Sequence, residues 1–286
     1  DVYSAGISEQ IVGDALRANG RRDEIVLATK VGFPTGAGQP GEFHRREHII
    51  KSCEQSLKNL KTDRIDLYQI HRYSPIVAPE ETLGAFDELV RAGKVRFIGC
   101  STFPAWAVVE AINISNQAGQ AAYISEQPPY NLLDRRIENE LVPMAQKYDL
   151  AILPWSPLGA GILANRYAGG IPEGSRGSRR PQMLERLTPT AIAVGKAVAD
   201  LGEKRGLTAT QMALLWCKEQ AGVTAPIIGP RTIEQLQDAL VILNHTLDPE
   251  ARAACDALVS PGHAVVDFLN TSGWSKPLVG AAGENP

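Results

Sequence analysis

A lysine and a histidine occupy positions where their side chains could take part in acid–base chemistry. Lys30 lies in the otherwise apolar run IVLATKV (25–31), and His71 ends the run DLYQIH (66–71). Burying an ammonium group is costly unless it is paired or its pKa falls. Lys30 therefore implies either a partner charge or a role in proton transfer. The alternative is that the strand end lies at the surface, with the Lys30 side chain in solvent. A histidine at a strand end fits a structural and a catalytic role equally well.

Other chemically suggestive patterns are weaker. His44 and His48 have the spacing of one helix face, but no ligand pattern accompanies them, so we expect a solvated helix start and no metal site. Two stretches, 36–41 and 159–164, match the dinucleotide fingerprint G-x-G-x-x-G/A. The first contains Pro40, and the second lacks the acidic residue expected at a strand end about 20 residues later. A doubly wound dinucleotide-binding fold is therefore only the alternative architecture.

Short apolar runs alternate with longer segments of helical periodicity along the chain. Six such runs extend over Ile25 to Val31, Asp66 to His71, Val95 to Ser101, Tyr123 to Gln127, Leu150 to Trp155 and Ala225 to Gly229. Their length suits strands that are buried on both faces of a parallel sheet. The alternation predicts an α/β architecture, which we interpret as one domain over residues 1–286.

Capping residues and apolar spacing mark the helices between these strands. Ser8 is predicted to cap a first helix that turns Ile11, Ala15 and Leu16 to one face. Three further helix starts are marked by proline or by a Thr-x-x-Gln capping box, at Pro79, Thr208 and Thr232. A helix over 45–60 is predicted from four apolar residues at helical spacing, Ile49, Cys53, Leu57 and Leu60.

The composition excludes several classes of protein. The chain has 286 residues, 44% of them hydrophobic and 21% charged, with a net charge of −3, which is typical of a globular protein and not of a disordered one. No apolar run is long enough for a membrane helix, and the charge balance does not favour nucleic acid as a partner. Four scattered cysteines without a C-x-x-C pair predict reduced thiols and a cytoplasmic location.

Seven motifs occur in an order and spacing that together resemble the aldo-keto reductase family. They are YSAGISE (3–9), ATKVG (28–32), DLYQIH (66–71), GCSTF (99–103), QPPYNLLDR (127–135), PWSPLGAG (154–161) and GPRTIEQL (229–236). The similarity is greatest to the longer-loop branch that includes bacterial reductases and potassium-channel β subunits. It implies an α/β fold of the (β/α)8 TIM-barrel type that binds a nicotinamide cofactor without a Rossmann fold.

The resemblance also implies roles for three residues. Tyr3, Lys30 and His71 match three members of the family's Asp, Tyr, Lys and His tetrad. Tyr3 would be the general acid, Lys30 would ease its proton loss, and His71 would orient the substrate carbonyl. The tetrad Asp lies five residues before the Tyr in this family, whereas Asp1 lies two before it and matches a different position. We therefore expect one to two strands, roughly 50–60 residues that include this Asp, to precede the chain.

Cofactor-binding positions carry over from the same motifs. Ser101 and Gln127 match side chains that hold the nicotinamide carboxamide, and Thr102 stands where Asn is usual. Trp155 matches an aromatic residue that stacks on the nicotinamide, with core packing as the alternative. The pyrophosphate side is matched by Ser156, Leu158 and Gly161, and the adenosine side by Gly229, Arg231, Gln235 and Asp238. A guanidinium at position 231 can fork onto a 2′-phosphate, which favours NADP over NAD.

The function implied is an NADPH-dependent reductase that converts aldehydes or ketones, as small carbonyl substrates, to alcohols. The alternative is a sensor or regulatory subunit that binds NADP(H) with little catalysis. A further alternative is that the chain is a fragment that neither closes a barrel nor catalyses. The three matched tetrad residues favour the enzyme.

Overall fold

Four parallel strands form the sheet of the first part of the chain. The computed structural model describes residues 2–33 and 42–269, and their backbone contacts define two compact units, residues 2–126 and 127–269. Asp1 and the glycine motif at 36–41 lie outside the described residues. The strands of the first unit are β1 (Ala28–Val31), β2 (Ile65–Ile70), β3 (Val95–Cys100) and β4 (Tyr123–Glu126). Its helices are α1 (Ile7–Asn19), α2 (Arg46–Leu60), α3 (Pro79–Arg91) and α4 (Ala105–Ala118).

The strands pair in the order in which they occur, as expected for alternating strands and helices. Val31 is level with Ile70, Ile70 with Cys100, and Cys100 with Glu126. All six residues of β2 are buried, which agrees with a strand covered on both faces. The α/β architecture with a parallel sheet is thus as predicted from the sequence.

The apolar face of α1 differs from the prediction. The helix begins at Ile7 after Gly6, which has a left-handed φ of 87°, so Ser8 lies inside the helix and is not its cap. Ile11 is 65% exposed, whereas the buried positions are Glu9, Gly13 and Leu16. Glu9 is buried because its carboxylate accepts hydrogen bonds from Thr29 Oγ1 (2.7 Å) and Asn59 Nδ2 (2.9 Å). Of the three residues predicted to share the buried face, only Leu16 is buried, and a polar contact and a close helix approach take the place of the other two.

A buried carboxylate ties the N-terminal ends of the strands together. Asp66 accepts the Leu27 N–H at 2.9 Å and pairs with Arg22 (2.7 Å) and Arg96 (2.9 Å). Burial alone would raise the pKa of this carboxyl, but the hydrogen bonds from Leu27, Arg96 and Arg22 outweigh it and lower the pKa. This end of the sheet is therefore held by paired charge.

The second unit contains one short strand and six helices. The strand is β5 (Ala151–Ile152), and the helices are α5 (Leu141–Lys147), α6 (Arg176–Arg179), α7 (Pro189–Glu203), α8 (Ala209–Lys218), α9 (Ile233–Leu240) and α10 (Pro249–Leu258). The capping box at Thr208 is present as predicted. At Thr232 only half of the box forms, because the Gln235 side chain accepts from the Arg231 N–H instead.

The predicted strand at Ala225 to Gly229 is wrong. The Thr224 and Ile227 N–H groups donate to the carbonyls of Ile152 (2.9 Å) and Pro154 (2.8 Å), as in a parallel pair. Pro226 lies between these donors and has no N–H, so the ladder is interrupted before it becomes a strand. Pro154 limits β5 in the same way, which explains why the predicted run of Leu150 to Trp155 shrinks to two residues.

All four cysteines are buried free thiols. Burial raises the pKa of Cys53 to about 12 and that of Cys255 to about 11, and it also raises the pKa of Cys100 and Cys217. They are packed as small apolar side chains, as expected from their spacing. Within the described residues, none of the helices combines the length and the apolar character needed to cross a membrane.

The close approach of α1 to α2 gives a stability prediction. A Cβ at Gly13 would lie 2.7 Å from the backbone atoms of Asn59 and Leu60, so Gly13→Ala should lower the free energy of unfolding by about 1–3 kcal/mol through overpacking. Gly84→Ala in α3 is the matched control, because nothing lies within 4 Å of the added Cβ. It should stabilise the protein by about 0.5–1 kcal/mol. Urea unfolding measures both, and equal effects would contradict the close approach.

Candidate active site

Three side chains that could transfer protons meet at the C-terminal edge of the sheet. Lys30 is the penultimate residue of β1, and His71 directly follows β2. The His71 N–H donates to the Val31 carbonyl at 2.7 Å, which continues the β1–β2 pairing beyond the strand. Tyr3 lies in the turn that precedes α1. The parallel register is therefore what brings the ends of β1 and β2 to one level.

The Tyr3 hydroxyl lies between the other two groups. Lys30 Nζ donates to this oxygen at 3.3 Å, and His71 Nε2 lies 3.3 Å from it on the other side. The Tyr3 ring is half exposed, whereas the His71 ring is buried and also contacts the ring of Phe33. The structure thus brings together the three residues that the sequence motifs selected as catalytic.

An unusual backbone turn presents Tyr3. Ser4 and Ala5 have φ values of 50° and 51°, and Gly6 continues with 87°. A succession of left-handed residues is rare for side chains with a Cβ and is found where the surrounding structure requires a particular geometry. The turn separates Tyr3 from the regular path of α1, so that the phenol reaches the strand ends.

Burial and positive charge set the protonation states of this cluster. Burial lowers the pKa of Lys30 to about 8, with a further contribution from the Arg72 charge. Burial, followed by the charges of Lys30 and Arg72, lowers the pKa of His71 to about 3. The pKa of Tyr3 is raised by burial, although Arg72 opposes the shift. At neutral pH the lysine is mostly charged, the imidazole is neutral and the phenol is protonated.

The tautomer of His71 follows from its surroundings. Its Nδ1 is buried and has no hydrogen-bond partner among the described residues. A proton on Nδ1 would be an unsatisfied buried donor, so the proton is better placed on Nε2, facing Tyr3. The phenol oxygen can then accept from both Lys30 and His71. Its own hydrogen is left to point toward a third group.

The turn after β3 carries the first two residues matched to the cofactor. Ser101 and Thr102 are both buried, and their hydroxyl oxygens lie 3.4 Å apart. Thr102 has a φ of 56°, a conformation that is strained for a β-branched residue by about 1–3 kcal/mol. Its Oγ1 accepts a hydrogen bond from Arg72 Nη1 at 2.9 Å. The Thr102 hydroxyl is therefore engaged inside the protein.

A buried carboxyl group lies behind this turn. Glu126 is fully buried, and its Oε1 accepts the Phe103 N–H at 3.0 Å. Burial raises its pKa to about 8, against the opposing effects of the Phe103 and Thr102 N–H groups and of Arg72. Sequence reasoning did not select Glu126, although a charged residue in a predicted strand is the same signal that pointed to Lys30.

His44 is not the solvated residue that the sequence suggested. It is 8% exposed, and its Nε2–H donates to the Arg72 carbonyl at 2.9 Å. Its own carbonyl accepts from Thr82 Oγ1 at 3.0 Å. His44 therefore fixes the main chain just after His71. Its spacing from His48 gave no indication of this contact, because the partner is 28 residues away.

In the second unit, a loop with unusual backbone angles follows β5. Trp155 is half-buried and forms a parallel bridge with Pro129. Ser156, Gly159 and Gly161 have φ values of 56°, 52° and 99°. Leu158, with a φ of −92°, precedes the left-handed Gly159, and the N–H groups of Gly159 and Gly161 donate to the carbonyls of Ser156 and Leu158, each at 2.9 Å.

The remaining predicted positions lie directly after β4 or in and before α9. Arg231 is exposed, and its guanidinium has no hydrogen bond or ion pair with any described residue. Gly229 is exposed with open space around it, and Gln127 is buried directly after β4. Asp238 already has a protein partner. Its carboxylate accepts a hydrogen bond from Gln211 Nε2 at 2.8 Å and so links α9 to the capping box of α8. The part of the chain that the structure describes holds no group of His, Cys, Asp or Glu side chains suited to a metal ion.

Comparison with known proteins adds an independent finding. A model described as the aldo/keto reductase family matches residues 1–260. The chain is 36% identical over 265 residues to the uncharacterized oxidoreductase YrpG of Bacillus subtilis strain 168, covering 91% of this chain and 80% of that protein. It is 35% identical over 244 residues to a putative voltage-gated potassium channel subunit beta of Schizosaccharomyces pombe, covering 82% and 71%. Identity to L-glyceraldehyde 3-phosphate reductase of Escherichia coli O157:H7 is 28% over 266 residues, covering 90% and 77%.

The electrostatics of the cluster can be tested by titrating His71. Its pKa of about 3 predicts that its NMR ring signals stay constant between about pH 5 and 8, because the imidazole is neutral throughout. Lys30→Met removes a positive charge that disfavours imidazolium, so the His71 pKa should rise. Lys61→Met, which removes a lysine paired with Asp14 on the surface, should leave the His71 signals unchanged. A wild-type midpoint near 6.5 would contradict the proposed surroundings.

Proposed function

Because the chain belongs to the aldo/keto reductase family of oxidoreductases, whose fold is a (β/α)8 barrel, we propose that it reduces aldehydes or ketones to alcohols with NADPH. The observation that carries the proposal is the position of the Tyr3 hydroxyl, 3.3 Å from both Lys30 Nζ and His71 Nε2. A phenol held by a cation and a neutral imidazole is suited to give its proton to a carbonyl oxygen.

The proposed proton transfer follows from the charges of the cluster. Tyr3 donates its proton to the carbonyl oxygen of the substrate, and the phenolate that results is stabilised by the Lys30 ammonium. The Lys30 pKa of about 8 lies near neutrality, so this side chain can also return a proton to the phenolate. The Nε2–H of His71 can donate to the same carbonyl oxygen and orient it. Bound NADPH would supply the hydride that the carbonyl carbon accepts.

The residues present fit a phosphorylated nicotinamide cofactor. The exposed Arg231 guanidinium is suited to phosphate oxygens, and the glycines at 159 and 161 allow a ligand to approach the main chain closely. The half-buried ring of Trp155 offers a face for stacking. We propose that Ser101, Gln127 and Trp155 hold the nicotinamide, that Ser156, Leu158 and Gly161 hold the pyrophosphate, and that Gly229, Arg231, Gln235 and Asp238 hold the adenosine side.

The four cysteines bear on the cellular compartment. Because they are buried free thiols, they favour a reducing compartment such as the cytoplasm.

Thr102 and Asp238 differ from the other proposed cofactor ligands because each already has a protein partner. The Thr102 hydroxyl accepts from Arg72, and the Asp238 carboxylate accepts from Gln211. A hydroxyl can still donate its own hydrogen, and a carboxylate has a second oxygen. We therefore propose secondary roles for both residues.

A sensor or regulatory subunit is the second candidate function. The observation that favours it is the similarity to two proteins named as channel beta subunits, from Schizosaccharomyces pombe and from rice. The proposed proton donor favours the enzyme, because a sensor has no need of a phenol placed between an ammonium and an imidazole. Tight NADPH binding without NADPH consumption across a panel of aldehydes would favour the sensor.

The role of Tyr3 can be tested by removing only its hydroxyl. Tyr3→Phe should lower kcat for aldehyde reduction by about 10²–10⁴-fold, because the general acid is lost, while NADPH binding stays within about twofold. The measurement is NADPH consumption with an aldehyde panel. Tyr148→Phe, at an exposed tyrosine after α5, is the matched control and should retain full activity. Full activity in Tyr3→Phe would overturn the proposed acid.

Cofactor preference can be tested at Arg231. Arg231→Leu should weaken NADPH binding by about tenfold or more, because a charge-assisted contact to the 2′-phosphate is lost, and should leave NADH binding unchanged. Binding is followed through tryptophan fluorescence, which we expect Trp155 to report. Lys204→Leu makes the same charge change at an exposed site after α7 and should affect neither cofactor. Equal weakening for NADPH and NADH would remove the argument for a phosphate contact.

A further inference from the structure

Two ionisable side chains outside the proposed mechanism hold the turn that follows β3. Arg72 lies one residue after His71, and Glu126 ends β4. Both act on Thr102, which is the strained residue of the turn with a φ of 56°. Threonine is β-branched and resists this conformation, whereas asparagine, the usual family residue at this position, adopts it more readily. A threonine here therefore needs support from its surroundings.

Arg72 supplies part of that support and links it to His71. Its Nη1 donates to the His71 carbonyl at 3.1 Å and to Thr102 Oγ1 at 2.9 Å. Because both hydrogens of one planar nitrogen are used, the end of β2 and the turn after β3 are held at a fixed separation. The His44 Nε2–H fixes the Arg72 carbonyl at 2.9 Å, so the main chain of Arg72 is itself anchored.

Glu126 supplies the other part from below the turn. Its Oε1 accepts the Phe103 N–H at 3.0 Å, and the Thr102 N–H also acts on this carboxyl group. Glu126 is level with Cys100 in the β3–β4 pairing and is fully buried, so its position is set by the sheet. Glu126 thus holds the backbone of the turn, and Arg72 holds the side chain of Thr102.

We propose that Arg72 and Glu126 are positioning residues that keep Thr102 in its left-handed conformation and so present Ser101 to the nicotinamide end of the cofactor. We call the contacts of Arg72 and Glu126 with the turn at 101–103 the clamp. The inference rests on the proposed function for its cofactor, but the clamp itself is a property of the turn. The main partner of the Thr102 hydroxyl is Arg72. In this chain the arginine and the threonine together do what an asparagine would do alone.

The test combines amide exchange with cofactor binding in Arg72→Met. This variant keeps the length of the side chain but removes its donors. Hydrogen exchange at the Thr102 and Phe103 amides should become about tenfold faster, and the Kd for NADPH should rise about fivefold or more. Arg17→Met makes the same change at an exposed arginine in α1, so it is the matched control and should change neither quantity.

A rescue separates positioning from a general loss of stability. Thr102→Asn in the Arg72→Met background should return both the exchange rates and the NADPH Kd to within about twofold of wild type, because asparagine tolerates the turn without the clamp. If Arg72→Met does not fold, Thr102→Val, which replaces the hydroxyl by a methyl group, takes its place and should show the same changes. Thr102→Asn alone should then keep the exchange rates and the NADPH Kd within about twofold of wild type. Glu126→Met, which removes both acceptor oxygens, should accelerate exchange at the same two amides.

Each outcome decides one of the two proposals. Unchanged exchange at Thr102 and Phe103 in both Arg72→Met and Glu126→Met would overturn the clamp. Faster exchange with an unchanged Kd, or a failed rescue by asparagine, would overturn its role in presenting Ser101. If wild-type protein binds no NADPH, the proposed function fails, and the exchange rates alone then decide whether the clamp exists.

Discussion

The parallel register of β1, β2 and β3 is the constraint on which the candidate active site depends. Val31, Ile70 and Cys100 lie at one level, so the residues that follow them leave the sheet at the same edge. A slip of one residue would turn the side chains of a strand to the opposite face. Burial of β2 on both faces and the contact from the His71 N–H to the Val31 carbonyl oppose such a slip. Packing far from the chemistry therefore sets the distances within it.

The two ends of the same strands carry opposite electrostatic arrangements. At one end, the Asp66 carboxylate is paired with Arg22 and Arg96, and its pKa is lowered despite burial. At the other end, the charges of Lys30 and Arg72 accumulate around groups that stay neutral. The first arrangement stabilises the fold by satisfying charge. The second places positive charge beside a phenol, where it would stabilise a negative charge that develops on the oxygen.

The sequence predicted local patterns better than long-range contacts. Strands β2 and β3 and helix α2 lie within one residue of their predicted bounds, because their apolar residues are buried on the expected faces. The strand at Ala225 to Gly229 failed because Pro226 removes a donor. His44 was assigned to solvent because its partner lies far along the chain. Glu126 carried the same signal as Lys30, a charge inside an apolar strand, and could have been found. The single-domain interpretation of residues 1–286 stays a prediction.

The burial of the four cysteines has a consequence for a protein that handles electrophiles. Aldehydes and their unsaturated relatives add to thiolates, and a raised thiol pKa keeps the thiolate fraction small at neutral pH. In the folded molecule the sulfur atoms are therefore shielded from such adducts, and exposed lysines become the more vulnerable nucleophiles. Conversely, each sulfur becomes reactive once its surroundings open. Alkylation by a thiol reagent would then count the molecules that have lost their native packing.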